Sequence, residues 1–240
     1  MKTIPLKFIR EDVSVGNADS AEDAREPTAQ LERLVQGLRG ELEALSPQAG
    51  RLRRADLLLQ LGRALVRLEE GPEAWTAARE AFDIYLGERA WEGAAQCCDI
   101  LFLAEQPKSL AALGQGIWLA VTYPVDPELT VALLKHVVDE TPPDSDGAAV
   151  AAITACYVTD LRSLEPQREH LLFYANQLLA TVARRHSAVG SQQDFDRFIA
   201  RMELDDPARF LPRLRNVVDV LVQDDWWFDR EALRAALPAA

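Results

Sequence analysis

From about residue 27 onward, apolar residues recur at three- and four-residue spacing, the signature of helices that bury one face. Leu31, Leu34, Val35 and Leu38 form one such face behind a start at Pro27 and Thr28. RLRRADLLLQLGRALVRLEE continues the pattern and is expected to stop at Gly71-Pro72. PEAWTAAREAFDIYL follows, stopping near Gly87, and then RAWEGAAQCCDILFLA. Pro107 opens SLAALGQGIWLAVTY, Pro124 and Pro127 bracket a turn, and ELTVALLKHVVDE comes next. TPPDSDG reads as a loop, with Asp144 or Asp146 as the expected cap of GAAVAAITACYVTDL.

Past residue 160 the pattern changes style, with one long segment followed by a shorter one. Pro166 opens QREHLLFYANQLLATVARRH, whose Arg184, Arg185 and His186 fall in the last turn, where positive charge suits the helix dipole. Ser191 is the expected cap of SQQDFDRFIARMEL, and Pro207 occupies the first turn of ARFLPRLRNVVDVLVQ, with Pro212 inside it. Asp224 or Asp225 is the expected cap of DDWWFDREALRAALPAA. The pattern predicts an all-α protein with about eleven helices and no sheet.

Residues 1–26 differ. Ile4, Leu6 and Phe8 alternate with Thr3, Pro5 and Lys7, which predicts a short extended arm, with Pro5 restricting it to a sheet edge. EDVSVGNADSAEDAREP is acidic and poor in large apolar residues, the composition of a flexible linker. The chain therefore divides into an arm and linker over 1–26 and a helical domain over 27–240, with hairpins over 50–159 and a C-terminal helical part over 160–240. An alternating arm can add to a partner, or to a second copy, through main-chain hydrogen bonds, which makes Ile4, Leu6 and Phe8 candidate contact residues.

Residues 50–159 pair as three hairpins, each roughly 35 residues long. Leu58, Leu61, Gly62 and Leu65 fall at W-x2-L-G-x2-Y spacing, with Ala74 on the second helix. Trp91, Ala94, Ala95 and Cys98 repeat the spacing 33 residues later, and Leu129, Ala132, Leu133 and His136 do so 38 residues after that. The pattern resembles a tetratricopeptide repeat. It departs from that family where Ala95 takes the glycine position and Leu86 stands in place of the closing proline. The resemblance implies stacked antiparallel hairpins, as a solenoid or bundle, with a concave surface that grips a peptide or a protein and carries no catalytic residues.

Composition narrows the partners. Apolar residues make up 48 % and charged residues 27 %, which is enough for a real core. The net charge of −12 repels phosphate backbones and disfavours nucleic acid. The charge is uneven: residues 1–159 carry 15 basic against 25 acidic residues, and residues 160–215 carry 9 against 8. No run reaches the roughly 18 apolar residues of a membrane span, and MKTIPLKFIR lacks the apolar core of a secretory signal. Cys97, Cys98 and Cys156 are few and odd in number, as expected of reduced thiols in a cytoplasmic protein.

Motifs for chemistry are sparse. His136, His170 and His186 make no i, i+4 histidine pair, and His136 has only Glu140 one turn on. Cys97 and Cys98 lie in an apolar run with no C-x-x-C spacing, so buried thiols are expected, with no metal and no cofactor. The glycines of LGQGIW point to close helix contact rather than a phosphate cradle. Asp205-Asp206 and Asp224-Asp225 precede helices as caps. The expected function is a non-enzymatic interaction protein: an adaptor, an assembly chaperone or an accessory subunit. The alternative is an enzyme or maturation factor with a pocket between helices, drawing on Cys97, Cys98 or a buried carboxylate.

Aromatic residues carry the remaining signal. Trp75, Trp91 and Trp118 fall within the hairpins and are expected in the core. On a helix, the consecutive Trp226, Trp227 and Phe228 would spread over about 200°, so at least one ring would leave the local core. Together with Arg230 they are candidate partner contacts, unless the segment folds back and buries all three.

Overall fold

A computed structural model describes residues 6–9, 25–46 and 50–237. Ile4 and most of the expected linker lie outside the described residues. The helices are α1 (Arg25–Glu43), α2 (Arg51–Arg67), α3 (Gly71–Gly87), α4 (Trp91–Leu103), α5 (Ser109–Thr122), α6 (Pro127–Glu140), α7 (Asp146–Arg162), α8 (Gln167–Ser187), α9 (Gln192–Arg201), α10 (Pro207–Val222) and α11 (Arg230–Ala235). They hold 76 % of the described residues, which contain no strand, so the protein is all-α.

Neighbouring helices pair in chain order: α2 with α3, α3 with α4, α4 with α5, α6 with α7, and α7 with α8. The even-numbered helices α2, α4, α6 and α8 also touch in succession, with α1 beyond α2 and the short α9 beyond α8. The chain then returns, and α10 lies across α5 and α7. This return explains a feature of the sequence. SLAALGQGIWLA and GAAVAAITAC show no polar face because the middles of α5 and α7 are covered all round; Ala112, Leu113, Ile117, Ala151, Ala152 and Ile153 are all fully buried.

Small residues set how closely the helices approach. A Cβ on Gly114 would lie 2.5 Å from Val222 Cγ2, and one on Gly116 would lie 2.7 Å from Cys98 Cβ. The LGQGIW glycines thus let α5 seat against α10 and α4, as close helix contact requires. Gly62 faces Ile100 of α4 and the backbone of α3 in the same manner.

Several helix ends differ from expectation. α2 ends at Arg67, and Gly71 opens α3 rather than stopping α2, whereas α3 does end at Gly87 as expected. The turns after α2, α3 and α9 place Glu69, Arg89 and Glu203 in the left-handed region, at φ 61°, 57° and 53°. The next N–H in each case (Glu70, Ala90, Leu204) donates five residues back, to Leu65, Tyr85 and Ile199. This closure is usually served by glycine, and another residue there costs about 1 kcal/mol. Ser145, not Asp144 or Asp146, caps α7. Asp229, not Asp224 or Asp225, caps α11, because the chain stays irregular through the aromatic run. Ser191 and Asp206 cap α9 and α10 as expected. The α5 C-terminus is closed from a distance: Arg162 donates to the Ala120 carbonyl at 2.6 Å and the Val121 carbonyl at 2.7 Å.

Candidate interaction surfaces

The aromatic run does not form a helical turn, so the expectation of rings pointing in three helical directions is corrected. The backbone of residues 225–229 is irregular and runs over α3 and α5. Buried Gln115 of α5 anchors it, with Oε1 accepting from the Trp227 N–H at 2.8 Å. Lys108 Nζ pairs with Asp225 at 3.0 Å. The irregular path lets neighbouring rings share one side. Trp227 meets Phe82 edge-on at 5.3 Å between centroids and Trp75 at 6.0 Å, while Phe228 meets Trp118 at 5.2 Å. Trp226 packs on Trp118 and Phe228. Arg79 stacks over Trp227 at 4.4 Å, and Arg230 over Trp226 at 3.9 Å while its guanidinium pairs with Asp219 at 2.6 Å. All three rings are half-buried against their own chain, as are Trp75 and Trp91, whereas Trp118 is buried.

The arm finds a seat at the other end of the sequence. Leu6 and Phe8 pack on the core, and Phe8 lies 5.8 Å from Phe195 of α9. No strand partner is used among these residues; side chains meet the arm's backbone instead. Asn176 Oδ1 accepts from the Lys7 N–H at 2.8 Å, Gln192 Oε1 accepts from the Phe8 N–H at 3.0 Å, and Arg184 donates to the Ile9 carbonyl at 2.6 Å. Arg184 therefore does more than answer the α8 dipole. The period-two pattern betrayed the arm, but nothing in the sequence marked a mid-helix Asn176 or Gln192 as its receptor.

Beside the arm, a cavity of about 380 Å³ opens between Lys7, Ile9, Arg168, Leu172 and Phe173. Phe173 of α8, which lines this cavity, is 56 % exposed, and two further large apolar side chains face solvent where α7 passes to α8: Leu161 at the end of α7 (64 % exposed) and Leu164 in the following loop (82 %). Exposed residues of this size carry the mark of a contact surface when several come from one corner of a fold.

The chemical candidates take structural places. His136 pairs with Asp99 of α4 at 2.9 Å and packs on Phe102, rather than meeting Glu140. His186 pairs with Asp146 at 3.0 Å, while His170 is exposed. Among the described residues no three metal-ligating side chains converge, and no helix is long and apolar enough to cross a membrane. All three thiols are fully buried. Burial pushes Cys156 up to about 12, and raises Cys97 and Cys98 well above the ordinary thiol range. The reactive thiolate is thus suppressed. Native protein is expected to leave all three unlabelled by a thiol reagent that counts three after denaturation; fast labelling of any one in the native state would contradict the packing of α4 and α7.

Compared with known proteins, the chain matches no family model, no curated protein and no solved structure.

Proposed function

We propose that this chain is a non-enzymatic protein–protein interaction module, acting in the cytoplasm as an adaptor, assembly chaperone or accessory subunit of a larger complex. Paired helices with a tetratricopeptide-like spacing over 50–159 give it a rigid frame. The observation that carries the reading is the exposure of Leu161, Leu164 and Phe173 where α7 passes to α8. Leaving large apolar groups in water gains nothing for the free chain, and covering one contributes about 1.5–3 kcal/mol. The Trp226-Trp227-Phe228 run serves this module by fastening α10 and α11 to the hairpins, while the α7–α8 corner supplies the contact.

The test is co-purification from native lysate with the Leu164→Asp/Phe173→Asp variant beside the unaltered chain. A stoichiometric protein partner captured by the latter and lost by the former is the expected result. A bound small molecule or metal in place of a protein would overturn the reading, as would equal capture by both.

A further inference from the structure

We propose that residues 6–9 form a strap that locks α9 onto α8, and that its release opens α9 as a unit while α5 and α7 stay folded. This goes beyond the interaction reading, and its test uses no partner, so the two stand or fall separately.

The strap crosses the helix pair and is tied on both sides. On α8, Asn176 Oδ1 accepts from the Lys7 N–H at 2.8 Å, and Arg184 donates to the Ile9 carbonyl at 2.6 Å. On α9, Gln192 Oε1 accepts from the Phe8 N–H at 3.0 Å, and the Phe8 ring lies 5.8 Å from that of Phe195. Asn176 is buried, 4 % exposed, and donates its own amide to the Leu172 carbonyl, which turns its oxygen toward the arm. The Arg184 guanidinium lies over the Phe8 ring.

α9 depends on such support. It has 10 residues, fewer than the roughly 12–15 at which a helix begins to hold by itself in water. Its place in the fold therefore rests on burying Phe195, Phe198 and Ile199, with α8 as its main helix neighbour. His186 of α8 meets Phe198 at 5.6 Å, near the last turn of α9. Phe8 meets Phe195, near the first turn, and Gln192 is the first residue of the helix. The strap thus secures the end of α9 at which fraying would begin.

The alternation of the arm gives release a second consequence. Leu6 and Phe8 pack on the core, and Lys7 and Ile9, on the other face of an extended segment, line the cavity beside Phe173. Asn176 belongs to both, holding the arm and lining the cavity. Release therefore removes one wall of that cavity and uncovers Phe195 in a single step. Elements at the margin of a fold, with few buried contacts, open at low free energy. α9 and its strap are such a unit, with a closed state that walls the cavity and an open state that does not.

The experiment is hydrogen exchange read by mass spectrometry on the full chain, natural and in two variants that alter only the arm. Phe8→Ala empties the seat on Phe195. Lys7→Pro removes the N–H that Asn176 accepts. Each is expected to speed amide exchange in α9 at least about tenfold while α5 and α7 exchange as in the natural chain. Unchanged exchange in α9 in either variant would overturn the strap. So would exchange that rises in α5 and α7 by the same factor, because the arm would then support the whole fold and not α9.

Discussion

Trp227→Ala is expected to destabilise the protein by about 3 kcal/mol, the low end for an aromatic truncation because the ring is half-buried. For a chain of this size that corresponds to a fall in melting temperature of roughly 6–12 °C. The ring contacts Phe82, Trp75 and the Arg79 guanidinium, and its own N–H is held by Gln115. Its removal uncovers Phe82, which is fully buried, and loosens the segment that carries α11. Phe228→Ala is expected to act similarly through Trp118 and Phe82. Trp226→Ala should cost less, about 1–2 kcal/mol, since its ring meets Trp118, Phe228 and the Arg230 guanidinium rather than fully buried Phe82. Urea unfolding of the three variants checks this order. Unchanged stability in Trp227→Ala would mean that the run does not fasten the C-terminus.

Arg162→Leu carries the second large effect, about 3 kcal/mol. The guanidinium supplies charge-assisted hydrogen bonds to the last carbonyls of α5, groups that no helix satisfies internally. Leucine keeps much of the volume but leaves those acceptors buried and unpaired. Burial lowers the pKa of Arg162 from its ordinary value. The folded value therefore lies below the unfolded one, and this group's ionisation favours folding less as pH falls. An arginine's ordinary range lies far above neutral pH, so this effect is flat through neutral pH. The cost of Arg162→Leu is accordingly expected to be the same at pH 6 and pH 8, read as the midpoint shift in urea. A cost that vanished at either pH would point to a titrating partner instead.

The helices were legible because their apolar spacing is set locally. Leu57, Leu58, Leu61 and Leu65 repeat at helical intervals and all turn inward. Ser191 and Asp206 were legible as caps for the same reason, since a cap is read from its own few residues. The failures lie where a distant element decides. Aspartates precede the aromatic run, which favours a helix start, yet Gln115, more than a hundred residues away, captures the Trp227 N–H and holds the segment irregular. Glu69, Arg89 and Glu203 take left-handed conformations that composition assigns to glycine, because packing on both flanking helices outweighs their small local cost. The arm was half legible. Its alternation announced an extended segment, but its receptor is assembled from α8 and α9 only in the folded chain. The α7–α8 corner gave no signal at all, since Leu161 and Phe173 sit in helical patterns that read as core.

The central claim, that contact is made at the α7–α8 corner while the aromatic run maintains the fold, is tested most directly by melting and partner capture on two variants. Leu164→Asp/Phe173→Asp is predicted to keep its melting temperature to within about 2 °C, as exposed substitutions do. It should lose partner affinity by at least about thirty-fold, the equivalent of about 2 kcal/mol. Trp227→Ala is predicted to melt early yet bind normally at temperatures where it remains folded. A stable Leu164→Asp/Phe173→Asp variant that captures the partner as well as the unaltered chain would contradict the account.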